Sequence, residues 1–331
     1  MKKYLIFLTI SIFLYAVALP GFSAAPKGED EENLMFAYVC KMLTDPWFIN
    51  EENGIRASVE ELWIDYMAVD ADMDDTACMK AVDDAIEQGA DALMIVVTQQ
   101  FLGPAVVEKC REVDIPVITI DVTIKDNEGN QVPHVGSPSV ESGKMGGHVL
   151  AKLAKERSFF APGNVVKVMQ IDMSFRSVMH DRTVGYRAAL MEDLPLKDSD
   201  FIVQDNKTGG FEENLTVARA ILNTNPDVTH WLVTGINDQG AIAPLRIFEE
   251  QGFPIANVLA CGLGGSKMSF EEFQKPHNSY IVTRLQPFTE GETAVQILFD
   301  YITEDTPMPE TTLIPGVIIT KENYTDFEFA I

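Results

Sequence analysis

Apolar runs of strand length alternate with helical stretches along most of this 331-residue chain, and nothing else in the sequence narrows the fold as much. The first runs fall at 34–40, 63–69, 92–97 and 116–122. Between them, residues 75–88, closed by Gly89, and 102–113 carry helical spacing. The runs are nearly continuous in hydrophobic residues. A strand with one wet face alternates polar and apolar, whereas a strand covered on both faces does not, so these belong to a parallel sheet sandwiched by helices. Short links between strand, helix and strand then give a doubly wound α/β unit.

The pattern restarts after a polar turn at 125–130. Helices are predicted at 139–157, 182–191, 212–222, 239–251, 267–273 and 290–303. Strands are predicted at 165–171, 201–204, 230–234, 258–262, 280–285 and 312–320. Two successive α/β sets without a flexible linker predict two lobes joined by several chain segments. In such sheets the ligand crevice lies beyond the carboxyl ends of the strands.

Charge and targeting narrow the partners. Fifty Asp and Glu residues against 25 Lys and Arg give a formal charge of −25. A nucleic-acid binder needs a basic face, and an anionic membrane surface attracts basic segments, so neither partner is expected. Lys2 and Lys3 precede an apolar run at 4–19, followed by Pro20, Gly21 and the small residues Ser23, Ala24 and Ala25. That order reads as a signal peptide spanning 1–25, cleaved near Ser23–Ala25, with a retained anchor as the alternative. An exported, monomeric protein of the periplasm is expected. Cys40, Cys78, Cys110 and Cys261 are too few for a disulfide scaffold; Cys78 and Cys110 read as buried small hydrophobes. The five histidines are scattered, so no metal site is expected, and no cofactor. The turn Gly262-Leu-Gly-Gly-Ser-Lys267 lacks the spacing of a phosphate loop, and no G-x-S-x-G elbow is present.

The residues just after the strands carry the functional signal. After the first run come Lys41, Asp45, Pro46, Trp47 and Phe48. Asp45 reads both as a helix N-cap with Pro46 in the first turn and as a hydroxyl acceptor. Trp47 can stack on the C–H face of a sugar ring or simply pack, while Lys41 supplies charged hydrogen bonds. Asp121 closes the fourth run, as a turn former or a crevice acceptor. Arg182 is read as opening a helix, where the dipole disfavours a cation, which points to a functional reason for it. At the end of 230–234, Asp238 reads as an N-cap and Asn237 as a free amide at the rim.

Taken together, Lys41…Asp45-Pro-Trp-Phe48, the stretch 116–121, Arg182-Thr-Val-Gly185, the stretch 230–238 and the ending 317–324 resemble the periplasmic sugar-binding proteins of bacterial ABC importers, of the ribose, galactose and arabinose type. The resemblance runs in one register over almost the whole chain after residue 25. It implies a type I periplasmic binding protein: two Rossmann-like lobes joined by a three-segment hinge. The N-terminal lobe would comprise 33–136 and 286–314, and the C-terminal lobe 137–285 and 315–331. The implied function is capture of a monosaccharide by hinge closure and docking on a membrane permease. A sensor feeding a chemoreceptor or histidine kinase is the alternative within the fold, and an exported α/β enzyme the remote one.

Carried over residue by residue, the resemblance gives a partial site. Lys41, Trp47, Phe48, Asp121, Arg182 and Asn237 match. Asp45 replaces a glutamate and Val122 a second aspartate. Ser137 replaces a methionine that helps select the sugar's substituents, Gly264 an asparagine and Lys267 an aspartate. If Lys267 points inward it is a third cation beside Lys41 and Arg182, which favours a sugar acid; if outward, the preferred reading, it is an ordinary helix-start lysine.

Overall fold

A computed structural model describes residues 33–327, so the expected signal peptide lies outside the described residues. In chain order the first half runs β1 (Met35–Cys40), α1 (Pro46–Glu61), β2 (Asp65–Asp70), α2 (Asp75–Glu87), β3 (Ala92–Val96), α3 (Gly103–Glu112), β4 (Val117–Ile120) and β5 (His134–Gly136). The chain then crosses to a second set: α4 (Ser139–Glu156), β6 (Val166–Asp172), α5 (Ser177–Asp193), β7 (Phe201–Asp205), α6 (Phe211–Thr224), β8 (His230–Gly235), α7 (Asp238–Glu250), β9 (Val258–Gly264), α8 (Lys267–Phe273) and β10 (Tyr280–Arg284). It crosses back for α9 (Pro287–Glu304) and β11 (Thr311–Leu313), and crosses once more for β12 (Val317–Ile319).

Two six-stranded sheets result, ordered β11-β5-β4-β3-β1-β2 and β12-β10-β9-β8-β6-β7. Every pairing is parallel except β10 with β12. The expected doubly wound, two-lobed α/β architecture is therefore observed. In each sheet the strand order turns about the first strand of its set, placing a switch point beside β1 and another beside β6. The expected run at 312–320 is in fact two short strands in different sheets. Pro315 and Gly316 break it, because proline removes a ladder donor. Helix α5 begins at Ser177, so Arg182 lies in its second turn; the reading that Arg182 opens the helix is corrected.

The strands are buried from end to end in β3, β4 and β9, as sheets covered on both faces require. All four cysteines are buried and free, so the small-hydrophobe reading of Cys78 and Cys110 holds. Residues 70–75 form a helix start: Asp74 caps α2 by accepting from the Ala77 N–H at 2.7 Å.

Each lobe clamps two helices together at facing glycines. In the first, a Cβ on Gly54 of α1 would stand 1.9 Å from the Phe288 carbonyl oxygen, and one on Gly291 of α9 2.2 Å from that of Glu51. In the second, Gly143 of α4 approaches the Arg182 carbonyl and Gly185 of α5 the Val140 carbonyl, both to 2.0 Å for an added Cβ. Backbone atoms cannot swing aside as a side chain can. Gly185→Ala should therefore lower unfolding free energy by about 1–3 kcal/mol. A shifted urea midpoint at constant slope would register it; an unchanged midpoint would mean that the helices part freely.

Candidate functional site

The crevice site is assembled from the carboxyl ends of the strands. Lys41 follows β1 directly, and Asp121 follows β4. Asp121 adopts a left-handed backbone, φ 59°, which aspartate tolerates better than most residues and which turns its side chain off the strand line. The Lys41 ammonium donates to Asp121 Oδ2 at 3.0 Å and lies 4.8 Å from the centre of the Phe48 ring. Lysine, aspartate and aromatic ring thus form one unit at the edge of the first sheet.

Helix α1 begins beside that unit. Asp45 caps it, Oδ1 accepting from the Trp47 N–H at 2.8 Å, with Pro46 in the first turn. Phe48 turns into the first lobe's core and is 5% exposed. Trp47 is different. It is half-buried and packs against the cores of both lobes, yet its indole N–H is shielded from solvent and has no partner. A buried indole N–H ordinarily finds an acceptor, and this one finds none among the described residues. Val122, standing in place of the second aspartate, packs into the apolar clusters of the first lobe.

From the second lobe, Arg182 reaches the same space. Its Nη1 donates to the Ile236 carbonyl at 2.8 Å, while Nε is buried without a partner. Burial lowers its pKa, and Asp121 is the first of the charges that oppose this. Asp121 of one lobe and Arg182 of the other are thus electrostatic neighbours across the crevice.

Two readings after β8 are corrected. Asn237, not Asp238, is the N-cap of α7: its Oδ1 accepts from the Gly240 N–H at 2.9 Å, and its Nδ2 donates to the Gly209 carbonyl at 3.1 Å. Asn237 is therefore not a free amide. Asp238 is buried and accepts from the N–H groups of Gly265 at 3.0 Å and Ser266 at 2.7 Å. These contacts explain the glycine-rich turn. Gly264 has φ 140° and Gly265 φ 86°, and a Cβ on Gly264 would sit 3.2 Å from Asp238 Oδ2. The turn wraps an internal carboxylate, which engages the amides that a phosphate would need.

Lys267 points away. Its side chain is 72% exposed and pairs with Glu271 at 3.2 Å along α8, so the third-cation reading is not supported by its placement. Lys267→Asp should leave the ligand profile unchanged across a sugar panel in thermal-shift measurements. A shift toward neutral pentoses would show that it swings into the crevice.

Ser137, expected at the site, meets groups that sequence reasoning missed. Ser137 donates to Glu290 Oε1 at 2.5 Å. Glu290, in the first turn of α9, is fully buried, and burial pushes its carboxyl pKa up to about 8. Glu51 on α1 is also fully buried and raised by burial; its Oε1 accepts from the Tyr38 hydroxyl at 2.6 Å. In the second lobe, His180 Nδ1 stands 2.8 Å from Asp172 Oδ2 at the end of β6. Ser174, in the loop between them, gives its hydroxyl to Asp205 at 2.7 Å. The loop serine is thus engaged by Asp205 and has no hydrogen bond to the His180–Asp172 pair. Among the described residues, no group of three or more His, Cys, Asp or Glu side chains is placed to hold a metal ion.

Comparison with known proteins follows this geometry. The chain matches the periplasmic binding protein domain over residues 36–306. It is 26% identical to the L-arabinose-binding periplasmic protein of Escherichia coli (strain K12), covering 95% of this chain and 96% of that one. It is 24% identical to an ABC transporter L-arabinose-binding periplasmic protein of Azospirillum brasilense, covering 96% and 95%. Among solved structures, the periplasmic ribose ABC transporter protein of Conexibacter woesei superposes with a TM-score of 0.76 at 18% identity, over 89% of this chain and 94% of that one. An Actinobacillus succinogenes solute-binding protein with bound D-allose gives 0.72 at 19%, over 89% and 100%. Two parallel-sheet lobes, a crevice lined from both of them and a match spanning most of the sequence place this chain in the periplasmic binding protein family.

Proposed function

We propose that this protein is the solute-binding component of an ABC sugar importer and takes a monosaccharide, pentose or galactose-like, into the crevice between its lobes. One observation carries the reading: the Lys41–Asp121 pair of the first lobe stands within electrostatic reach of the Arg182 guanidinium of the second, and Trp47 packs against both lobes. An aromatic face and charged hydrogen-bonding groups drawn from two bodies suit a small polyhydroxylated ring, whose faces are apolar and whose edges are polar. Names of the relatives agree, since those above are arabinose- and ribose-binding proteins and one neighbour holds D-allose.

The mechanism is capture without covalent chemistry. Lys41, Asp121 and Trp47 belong to the first lobe and Arg182 to the second, so a ligand touching both sets stabilises the closed arrangement over the open one. The three crossings at 137–138, 285–286 and 314–316 are the segments able to act as a hinge. The closed form would dock, as a monomer in the periplasm, on the permease.

The test is a panel of pentoses, hexoses, polyols and sugar acids, read by thermal shift and calorimetry, with the bound compound recovered and identified. A cognate sugar at 100 times its Kd should stabilise the fold by about 2.7 kcal/mol and be released intact. Recovery of a chemically altered compound would overturn the binding-protein reading.

A further inference from the structure

We propose that Glu290, positioned by Ser137, is itself a ligand-contacting residue that bonds one hydroxyl of the bound sugar or polyol. This rests on the sugar-binding reading above and extends it to two residues.

Placement comes first. Ser137 is the first residue of the first crossing, directly after β5, and Glu290 lies in the first turn of α9, directly after the second. β5 pairs with β4, and the Asp121 N–H donates to the Val135 carbonyl at 3.1 Å, so Ser137 and Asp121 leave neighbouring strands at the same edge. Glu290 is felt electrostatically by Asp121 of its own lobe and by Arg182 of the other. The carboxyl therefore lies near Asp121 and Arg182.

Its bonding is half complete. Glu290 is 0% exposed; Oε1 takes the Ser137 hydroxyl, and Oε2 is buried with no partner. A buried carboxyl oxygen without a partner is costly, and a fold that holds one beside equally unpartnered donors has left a place for a group that both donates and accepts. Arg182 Nε is such a donor, shielded and free. A sugar hydroxyl meets both requirements at once: it donates to Glu290 Oε2 and accepts from an arginine N–H.

The experiment uses the full mature chain and the same panel, extended by deoxy analogues of the best-bound sugar. Against that sugar, Glu290→Ala should lose about 30- to 100-fold in affinity and Ser137→Ala about 3- to 10-fold, the ranges of a charged and a neutral hydrogen bond. Glu290→Gln keeps size and a Ser137 partner, and should retain the ligand-free melting temperature while losing about 10-fold. One deoxy analogue should bind wild type weakly but bind Glu290→Ala as well as the parent sugar does, a coupling that a merely structural glutamate would not produce. If both Glu290 variants bind the parent sugar with wild-type affinity, or no analogue couples to them, the inference fails and the sugar reading stands. If wild type binds nothing in the panel, the sugar reading falls and takes the inference with it.

Discussion

Trp47→Ala should abolish measurable sugar binding while the ligand-free protein keeps its fold. Truncating a well-packed tryptophan at the centre of an interface costs about 2–4 kcal/mol, some 30- to 1,000-fold in affinity. The structure gives two reasons to expect the upper end. Trp47 is placed by a short and well-defined cap, Asp45 and Pro46, so its position is set before any ligand arrives. It also touches the cores of both lobes, so its loss removes ring stacking together with a contact that favours closure. Half-burial limits the structural cost, and the ligand-free melting temperature should fall by less than about 5 °C. A fall of 10 °C or more would mark Trp47 as a core residue, because a fully packed Trp→Ala costs about 3–5 kcal/mol.

Arg182→Met should be nearly as severe for binding. Methionine keeps the apolar stem on α5 and removes only the guanidinium. If Nε and the remaining donors bond the ligand, removing a desolvated, charge-assisted partner costs about 2–5 kcal/mol, or roughly 30-fold to several-thousand-fold in Kd. Calorimetry against the best sugar would read it. The variant should also lose a charge that, after the Ser137 hydrogen bond, opposes the upward displacement of the Glu290 pKa. Wild-type affinity in Arg182→Met would show that this guanidinium serves only the Ile236 carbonyl, and the two-lobe contact argument would collapse.

Much of the fold is legible in sequence because a doubly wound sheet writes itself as alternation. Runs such as 92–97 and 230–234 are too apolar to have a wet face, and their ends say where a crevice must lie. Lys41 and Asp121 follow from that rule alone, and the structure brings them to 3.0 Å. What the rule cannot supply is orientation. Asn237 and Asp238 are both good caps and adjacent, so choosing between them depends on where Gly265 and Ser266 lie, far along the chain. Lys267 starts a two-turn helix, too short for its pattern to reveal which side faces water. Glu51 and Glu290 sit in helices as acids usually do on a solvated face. Only the pairing of α1 with α9 through Gly54 and Gly291 removes them from solvent, and that pairing joins segments more than two hundred residues apart. Pro315 and Gly316 did mark a break, one that the apolar run around them obscured.

The three crossings bear on how the chain comes to be folded at all. The first lobe is not finished by its own stretch of sequence: α9 and β11 complete it, and its core includes Ala294, Val295 and Leu298. During synthesis residues 33–136 emerge early, yet they lack a face of their sheet and the partner of α1 until residue 313 has followed. Contacts of such long sequence separation form slowly, because loop closure must precede them. The first lobe therefore stays incomplete until most of the chain has been made. The two lobes, each holding part of the other's covalent path, should melt in a single cooperative transition.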